Sequence, residues 1–431
     1  MTLVSKLKKG GGQLAIGQLV TQVASLVRNI VLARLLIPED FGLATTFILT
    51  LTMLEMISSM SVEMLLVQSK QGGKKGYLEA VHGFLLLRGL VVAILIYSTS
   101  GIIATIFKTP DLQWAYQLLT VVPLIKAFTH MDYKQVQRDY NYKKEMWVET
   151  IPQIVTLLLI YPVFLLDSSP VLGLWLVVLQ SISMVLISHL LAESKYNINF
   201  NTQLIKEVLI FGGPLVLSGL LMFFSIQGDR FLIGYYYSAY EFGVFSVIAL
   251  LVLNASNALA KFSTSLMLPP LAKSEGGDFN RVFNYFTASI IAIALVSGFF
   301  LLFLGEWVIA LLYGENYIIS GLTGAFSLLF VARIMRFPVT VAAISKGNTV
   351  IPLISNVARL SGVALAFWLA VSHASMVYVV LSGAIGEFVA IIVGSFLFRK
   401  YYISYGLIIL WSTMVVVVIG LVYYWGYAAS A

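Results

Sequence analysis

The sequence predicts an all-α polytopic membrane protein. We expect about 12–14 transmembrane helices in two parallel six-helix lobes around a central cavity, plus one C-terminal helix. Three observations predict this. Of 431 residues, 59% are hydrophobic and 11% charged, with mean hydropathy +0.91, whereas soluble domains carry about 25% charged residues. The apolar runs have the length of spanning helices rather than of the short alternating strands of a barrel. Finally, the chain repeats itself. Gly12 through Gly42 lies on Gly213 through Gly243 at a constant offset of 201 with no gap. Phe41-Gly42 falls on Phe242-Gly243, Asp40 on Glu241, and Arg28 on Asp229. Ile151-Pro152 recurs as Ile351-Pro352 at offset 200.

Thirteen apolar segments follow in order: 12–36, 41–67, 80–107, 112–131, 148–166, 170–192, 206–236, 240–267, 283–312, 318–343, 349–372, 375–398 and 404–427. Each can cross a hydrocarbon core of about 30 Å. Lys6, Lys8 and Lys9 precede the first, but its length, Arg28 and Arg34 within it, and the lack of an A-x-A site identify an uncleaved helix rather than a signal peptide. The division is 1–200 for the first lobe, 201–400 for the second and 401–431 for the extra helix.

The connections alternate in charge. One set holds 17 of the 27 basic residues, and the other holds only Lys108. The positive-inside rule therefore places the N-terminus and every long loop in the cytoplasm. Six helices separate the two copies, so both insert the same way up. Most of the net charge of +7 is topology, which makes a nucleic-acid partner unnecessary. The outward loops are too short for an external catalytic domain. Cysteine is absent, and the four histidines are widely separated with no ligand-spaced pair, so no metal site or cofactor is expected.

Nine basic residues remain at membrane depth: Arg28, Arg34, Arg88, Lys126, Arg230, Lys261, Arg333, Arg336 and Arg359. Each costs about 2.5–3.5 kcal/mol there on insertion scales, so it should face water or a partner. Arg34 and Lys126 lie near helix ends and can snorkel to headgroups. Arg28, Arg88, Lys261, Arg333, Arg336 and Arg359 are the candidate cavity cations. They outnumber the buried acids and suit an anion, because Arg forks match phosphate oxygens. Gln18, Gln22, Ser25 and Asn29 form a polar stripe on the first helix, and Asn254 and Asn257 lead to Lys261 on the eighth. Glu55, Glu63, Asp229 and Glu387 are candidates for coupling to a proton or sodium ion, or are counter-ions for nearby arginines. Asp229 and Arg230 are also read as a possible local pair.

Leu32-Ala33-Arg34-Leu35-Leu36-Ile37-Pro38-Glu39-Asp40-Phe41-Gly42 resembles the first-loop signature of bacterial polysaccharide exporters, the lipid-linked oligosaccharide flippases of the MOP superfamily. Gln137-Arg138-Asp139-Tyr140-Asn141-Tyr142-Lys143-Lys144 resembles their cytoplasmic stretch after helix 4, and Gly228-Asp229-Arg230-Phe231 their helix 7. The resemblance implies a cationic cavity holding a polyprenyl-pyrophosphate-linked oligosaccharide of O-antigen, capsule or exopolysaccharide synthesis. It implies transfer across the bacterial inner membrane by alternating access, among membrane lipids and beside other polysaccharide-assembly proteins. Arg28 is the leading pyrophosphate candidate by position, followed by Arg88 and Lys261. A MATE-like multidrug exporter shares the layout, but an acid-rich cavity would suit its cationic drugs better. A polyprenyl-dependent membrane glycosyltransferase could use Glu39-Asp40 as its acidic pair, yet that pair also reads as the start of a helix.

Overall fold

The structure, a computed structural model, describes residues 3–58, 62–139, 141–399 and 410–411. Helices dominate, and no strand occurs among the described residues. In chain order they are α1 (Leu3–Leu35), α2 (Pro38–Ser58), α3 (Val62–Gln68), α4 (Lys75–Ile106), α5 (Gln113–Leu118), α6 (Val121–Ala127), α7 (Asp132–Gln135) and α8 (Lys143–Leu166). Then come α9 (Leu172–Leu190), α10 (Thr202–Tyr236), α11 (Ala239–Lys273), α12 (Gly276–Leu312), α13 (Leu322–Met335), α14 (Phe337–Ser345), α15 (Val350–Val371) and α16 (Met376–Arg399). Among the described residues, eight helical stretches are long and apolar enough to cross a membrane.

Twelve of the predicted apolar segments become helix; 41–67 falls on α2 and α3, with residues 59–61 between them outside the described residues, and two others are broken within the described residues. The segment 112–131 splits into α5 and α6, and 318–343 splits into α13 and α14. Both breaks fall just before a proline, Pro123 and Pro338. A proline ring clashes with the carbonyl four residues back and supplies no N–H, so it kinks or breaks a helix; at these two positions the helix breaks, whereas α8 continues through Pro152 and Pro162. The predicted thirteenth segment, 404–427, lies outside the described residues except for 410–411, which are helical.

The internal repeat has a physical signature where α2 and α11 begin. A Cβ on Gly42 would sit 2.3 Å from the Ala239 carbonyl oxygen, and one on Gly243 would sit 1.9 Å from that of Pro38. Only glycine lets the backbones approach this closely. One turn further, the hydroxyls of Thr45 and Ser246 meet at 3.4 Å. Each of these two pairs is 201 residues apart, which is the repeat offset. The Phe-Gly match is therefore a contact between equivalent helix starts.

The chain forms two compact units. One comprises Met1–Gln227 and Tyr237–Ser246, and the other Gly228–Tyr236 and Val247–Ala431. In the first, the segment after α9 is strapped onto the helix ends. His82 Nδ1–H donates to the Asn197 carbonyl at 3.0 Å, while its Nε2 accepts the Met131 N–H at 3.1 Å. His130 Nε2–H donates to the Ser194 carbonyl at 3.1 Å, and its Nδ1 accepts the Asp132 N–H at 3.2 Å. Asp132 receives the Glu193 N–H and the Ser194 hydroxyl and pairs with Lys144 at 2.8 Å. Glu79 receives the Asn199 N–H and the Asn197 amide. Tyr196 stacks on His82 with ring centroids 4.4 Å apart, and His189 lies 5.3 Å from His130. Three histidines that are distant in sequence are thus neighbours in space, contrary to the expectation of scattered residues. The ring nitrogens of His82 and His130 are committed to backbone groups, and they fasten a linker.

Two outcomes follow from this packing. Gly243→Ala should lower thermal stability in detergent by about 1–3 kcal/mol, because backbone rather than a flexible side chain occupies the space. Gly277→Ala, which meets nothing within 4 Å, is the control and should leave the melting temperature unchanged or raised. Asp132 is costly to bury, but Lys144, the Glu193 N–H and the Ser194 hydroxyl hold its carboxyl below the usual carboxylate range. Its contribution to the strap is complete above about pH 4 and is lost as pH falls through the lowered folded value. Asp132→Asn should make residues 191–201 exchange amide hydrogens faster at neutral pH, with the cores of α4 and α8 unaffected.

Candidate functional site

Each unit carries its own buried charges, and the two solve the problem of charge differently. In the first unit, α1 packs along α8, and α8 along α9. The predicted polar stripe lies partly along this seam. Thr21 and Thr150 share a hydrogen bond at 3.2 Å, and Asn29 is buried, while Gln18, Gln22 and Ser25 are half-buried. Arg28 completes the seam. Its Nη1 donates to Gln153 Oε1 at 3.1 Å and to Gln180 Oε1 at 2.6 Å. No carboxylate lies within ion-pair distance of Arg28 among the described residues. The guanidinium is held by neutral amides rather than by a counter-charge.

The other basic residues of this unit do have acids. Arg88 faces Glu63 at 3.7 Å, and Lys126 pairs with Glu55 at 2.7 Å. Arg88, Lys126, Glu55, Ser58 and Gly89 line one shallow cleft. Glu55 and Glu63 are therefore counter-ions in this arrangement. Lys134 contacts both Glu145 and Glu149 where α8 begins.

In the second unit, Glu387 on α16 collects three guanidiniums. Arg336 Nε lies 2.9 Å from it, Arg359 Nη1 3.2 Å and Arg333 Nε 3.9 Å. The arginines come from α13, the α13–α14 break and α15, and Glu387 is 3% exposed. The break before Pro338 places Arg336 in this cluster. Asp229 sits against Gly383, where a Cβ would approach its Oδ2 to 3.2 Å. Its Oδ1 is shielded and has no hydrogen-bond partner among the described residues. Arg230 is buried as well. The structure thus brings the candidates Arg333, Arg336 and Arg359 together around Glu387, which takes the second of its two expected roles, a counter-ion for nearby arginines. Lys261 and Asn257 are exposed on α11 and Asn254 is half-buried, and this stripe does not join the arginine cluster.

The quoted motifs have local structural roles. Pro38, Glu39 and Asp40 form the first turn of α2, where proline is preorganised and acids favour the positive end of the helix dipole. Arg138 Nη1 donates to the carbonyls of Leu66, Val67 and Ser69 at 3.1, 2.7 and 2.6 Å, closing the end of α3. Gly228 packs against Val363 beside the arginine cluster.

Residues 31–321 match the family model described as polysaccharide biosynthesis protein. The chain belongs to that family. A curated relative, the capsular polysaccharide biosynthesis protein CapF of Staphylococcus aureus, is 24% identical over 387 residues, covering 86% of this chain and 94% of that protein. The fold is shared with lipid II flippase MurJ in an inward closed conformation, at TM-score 0.74 and 17% identity over 94% of this chain and 91% of that one. It is also shared with an inward-facing multidrug resistance MATE transporter of the MOP superfamily, at TM-score 0.69 and 16% identity over 94% and 99% of the two chains. This family member is therefore a multi-pass membrane protein with a transporter fold.

Gln153 and Gln180 escape a reading by motif. Their only sequence signal is an amide within an apolar helix, and it takes the fold to put both beside Arg28. The three-arginine cluster was visible only as separate charges. Removing the charge of Glu387 takes from three largely buried guanidiniums the carboxylate that all of them contact. Glu387→Gln should cost about 3–5 kcal/mol, read as a lower melting temperature and a reduced yield of monodisperse protein.

Proposed function

We propose that this protein is a flippase that moves a polyprenyl-pyrophosphate-linked oligosaccharide from the cytoplasmic to the periplasmic leaflet, in capsule, O-antigen or exopolysaccharide synthesis. The observation that carries the reading is Arg28: a half-buried guanidinium held by two amides, with no carboxylate in ion-pair distance among the described residues. A cation kept charged in this way is complementary to a diphosphate and repels a cationic drug. Family membership in polysaccharide biosynthesis, and a fold shared with a protein named as a lipid II flippase, support the same reading. The protein works in the inner membrane with its N-terminus in the cytoplasm, as its basic loops favour. Solved MATE transporters of this fold include inward-facing and outward-facing conformations, which supports alternating access. No covalent chemistry on the substrate is required, so the protein acts as a transporter rather than an enzyme.

Arg88 in the first unit, and Lys261, Arg333, Arg336 and Arg359 in the second, the last three partly offset by Glu387, are the remaining substrate-binding candidates. If transport is coupled to a proton or sodium ion, Asp229 is the first candidate. Glu55, Glu63 and Glu387 each have a cation within ion-pair distance, whereas Asp229 has none among the described residues and one of its oxygens has no hydrogen-bond partner there.

Arg28→Ala should abolish surface polysaccharide in a strain that depends on this chain, with unchanged membrane levels by immunoblot. Arg28→Lys should restore only part of the export, because it keeps the charge and loses the fork. Normal export by Arg28→Ala would refute the assignment.

A further inference from the structure

We infer that Gln153 and Gln180 are positioning residues that turn Arg28 into a donor-only cradle for the phosphate oxygens of the lipid-linked substrate. This deepens the flippase reading and rests on it. Arginine carries five N–H donors and no acceptor, so a glutamine meeting it must present its carbonyl oxygen. Both amides do so, and both meet the same nitrogen, Nη1, at 3.1 and 2.6 Å. Two consequences follow from that geometry. Nη1 spends its two hydrogens on protein, which leaves Nε and Nη2 unengaged among the described residues. Those two nitrogens form the edge that grips an oxyanion with two parallel bonds. Each glutamine also has its oxygen committed to arginine, so its NH2 group is left to donate.

The result is a constellation of donors with no opposing acceptor: one guanidinium edge and two amide NH2 groups. A carboxylate in place of either amide would hold the arginine as firmly, but would cancel its charge and add oxygens where a phosphate must come. The choice of amide over acid distinguishes this seam from the acid-paired cations of the two units. Arg88, Lys126, Lys134, Lys144 and the Arg333–Arg336–Arg359 group all face carboxylates. Fixing Arg28 in this orientation also lowers the entropy lost when an anion binds.

The test separates holding from binding. Gln153→Glu and Gln180→Glu are made in the full chain, reconstituted in phosphatidylcholine nanodiscs, and compared with the parent protein. Farnesyl diphosphate and inorganic pyrophosphate are the probes, with thermal stability measured in parallel. Each variant should hold or raise the melting temperature, because an ion pair replaces a neutral hydrogen bond. Each should weaken both probes by about tenfold or more, as expected for losing one charge-assisted hydrogen bond. Gln153→Met and Gln180→Met remove the amides without adding charge and should weaken the probes less. Should the glutamate variants bind both probes like the parent, the cradle is wrong while the flippase reading stands. Loss confined to farnesyl diphosphate would place the amides against the lipid tail and also overturn the cradle. If the parent itself binds neither diphosphate, the flippase reading fails first.

Discussion

The constraint on which this structure depends is the cost of charge in a medium without water. A chain that is 59% hydrophobic has carried nine basic residues to membrane depth, and each needs a partner. The five of these that the fold pairs with acids among the described residues, Arg88, Lys126, Arg333, Arg336 and Arg359, all draw on carboxylates that are themselves in the apolar segments: Glu63, Glu55 and Glu387. Breaking such a pair is expensive, because the remaining charge is stranded. These pairs hold helices in register. The arrangement around Glu387 is the extreme case, with one carboxylate binding three arginines from separate helical pieces.

Arg28 is treated differently, and that difference links fold to function. Its amide partners lower the cost of burial without neutralising the charge. Holding α1 against α8 and α9 in this way leaves a cationic group available to a ligand. A site of this kind is less stabilising than an ion pair, a reasonable trade under the proposed function, in which the substrate supplies the missing negative charge.

The duplicated plan shows how one sequence feature serves two ends. Gly42 and Gly243 occupy equivalent positions and permit the same close backbone approach, so both copies need glycine there. The polar positions have diverged where the chemistry differs, with Arg28 in the first copy and Asp229 in the second. The fourth helix of each copy is interrupted by its own proline, and the second of these interruptions delivers Arg336 to Glu387.

Sequence alone determined the helical membrane class, the repeat and the identity of the buried cations, because hydropathy, offset and charge are properties of position along the chain. It also singled out Arg28, since an arginine in an apolar helix stands out by composition. Which cation meets an acid and which meets an amide was decided by tertiary structure. Arg28 and Gln153 are 125 residues apart, and Arg28 and Gln180 are 152 apart. His82, His130 and Tyr196 likewise became a linker clasp only when α4 and the loop after α6 met the segment after α9. A lone glutamine carries no pattern, and a histidine carries no sign of its neighbours. Helix packing supplies the short distances at which a hydrogen bond or an ion pair acquires an energy.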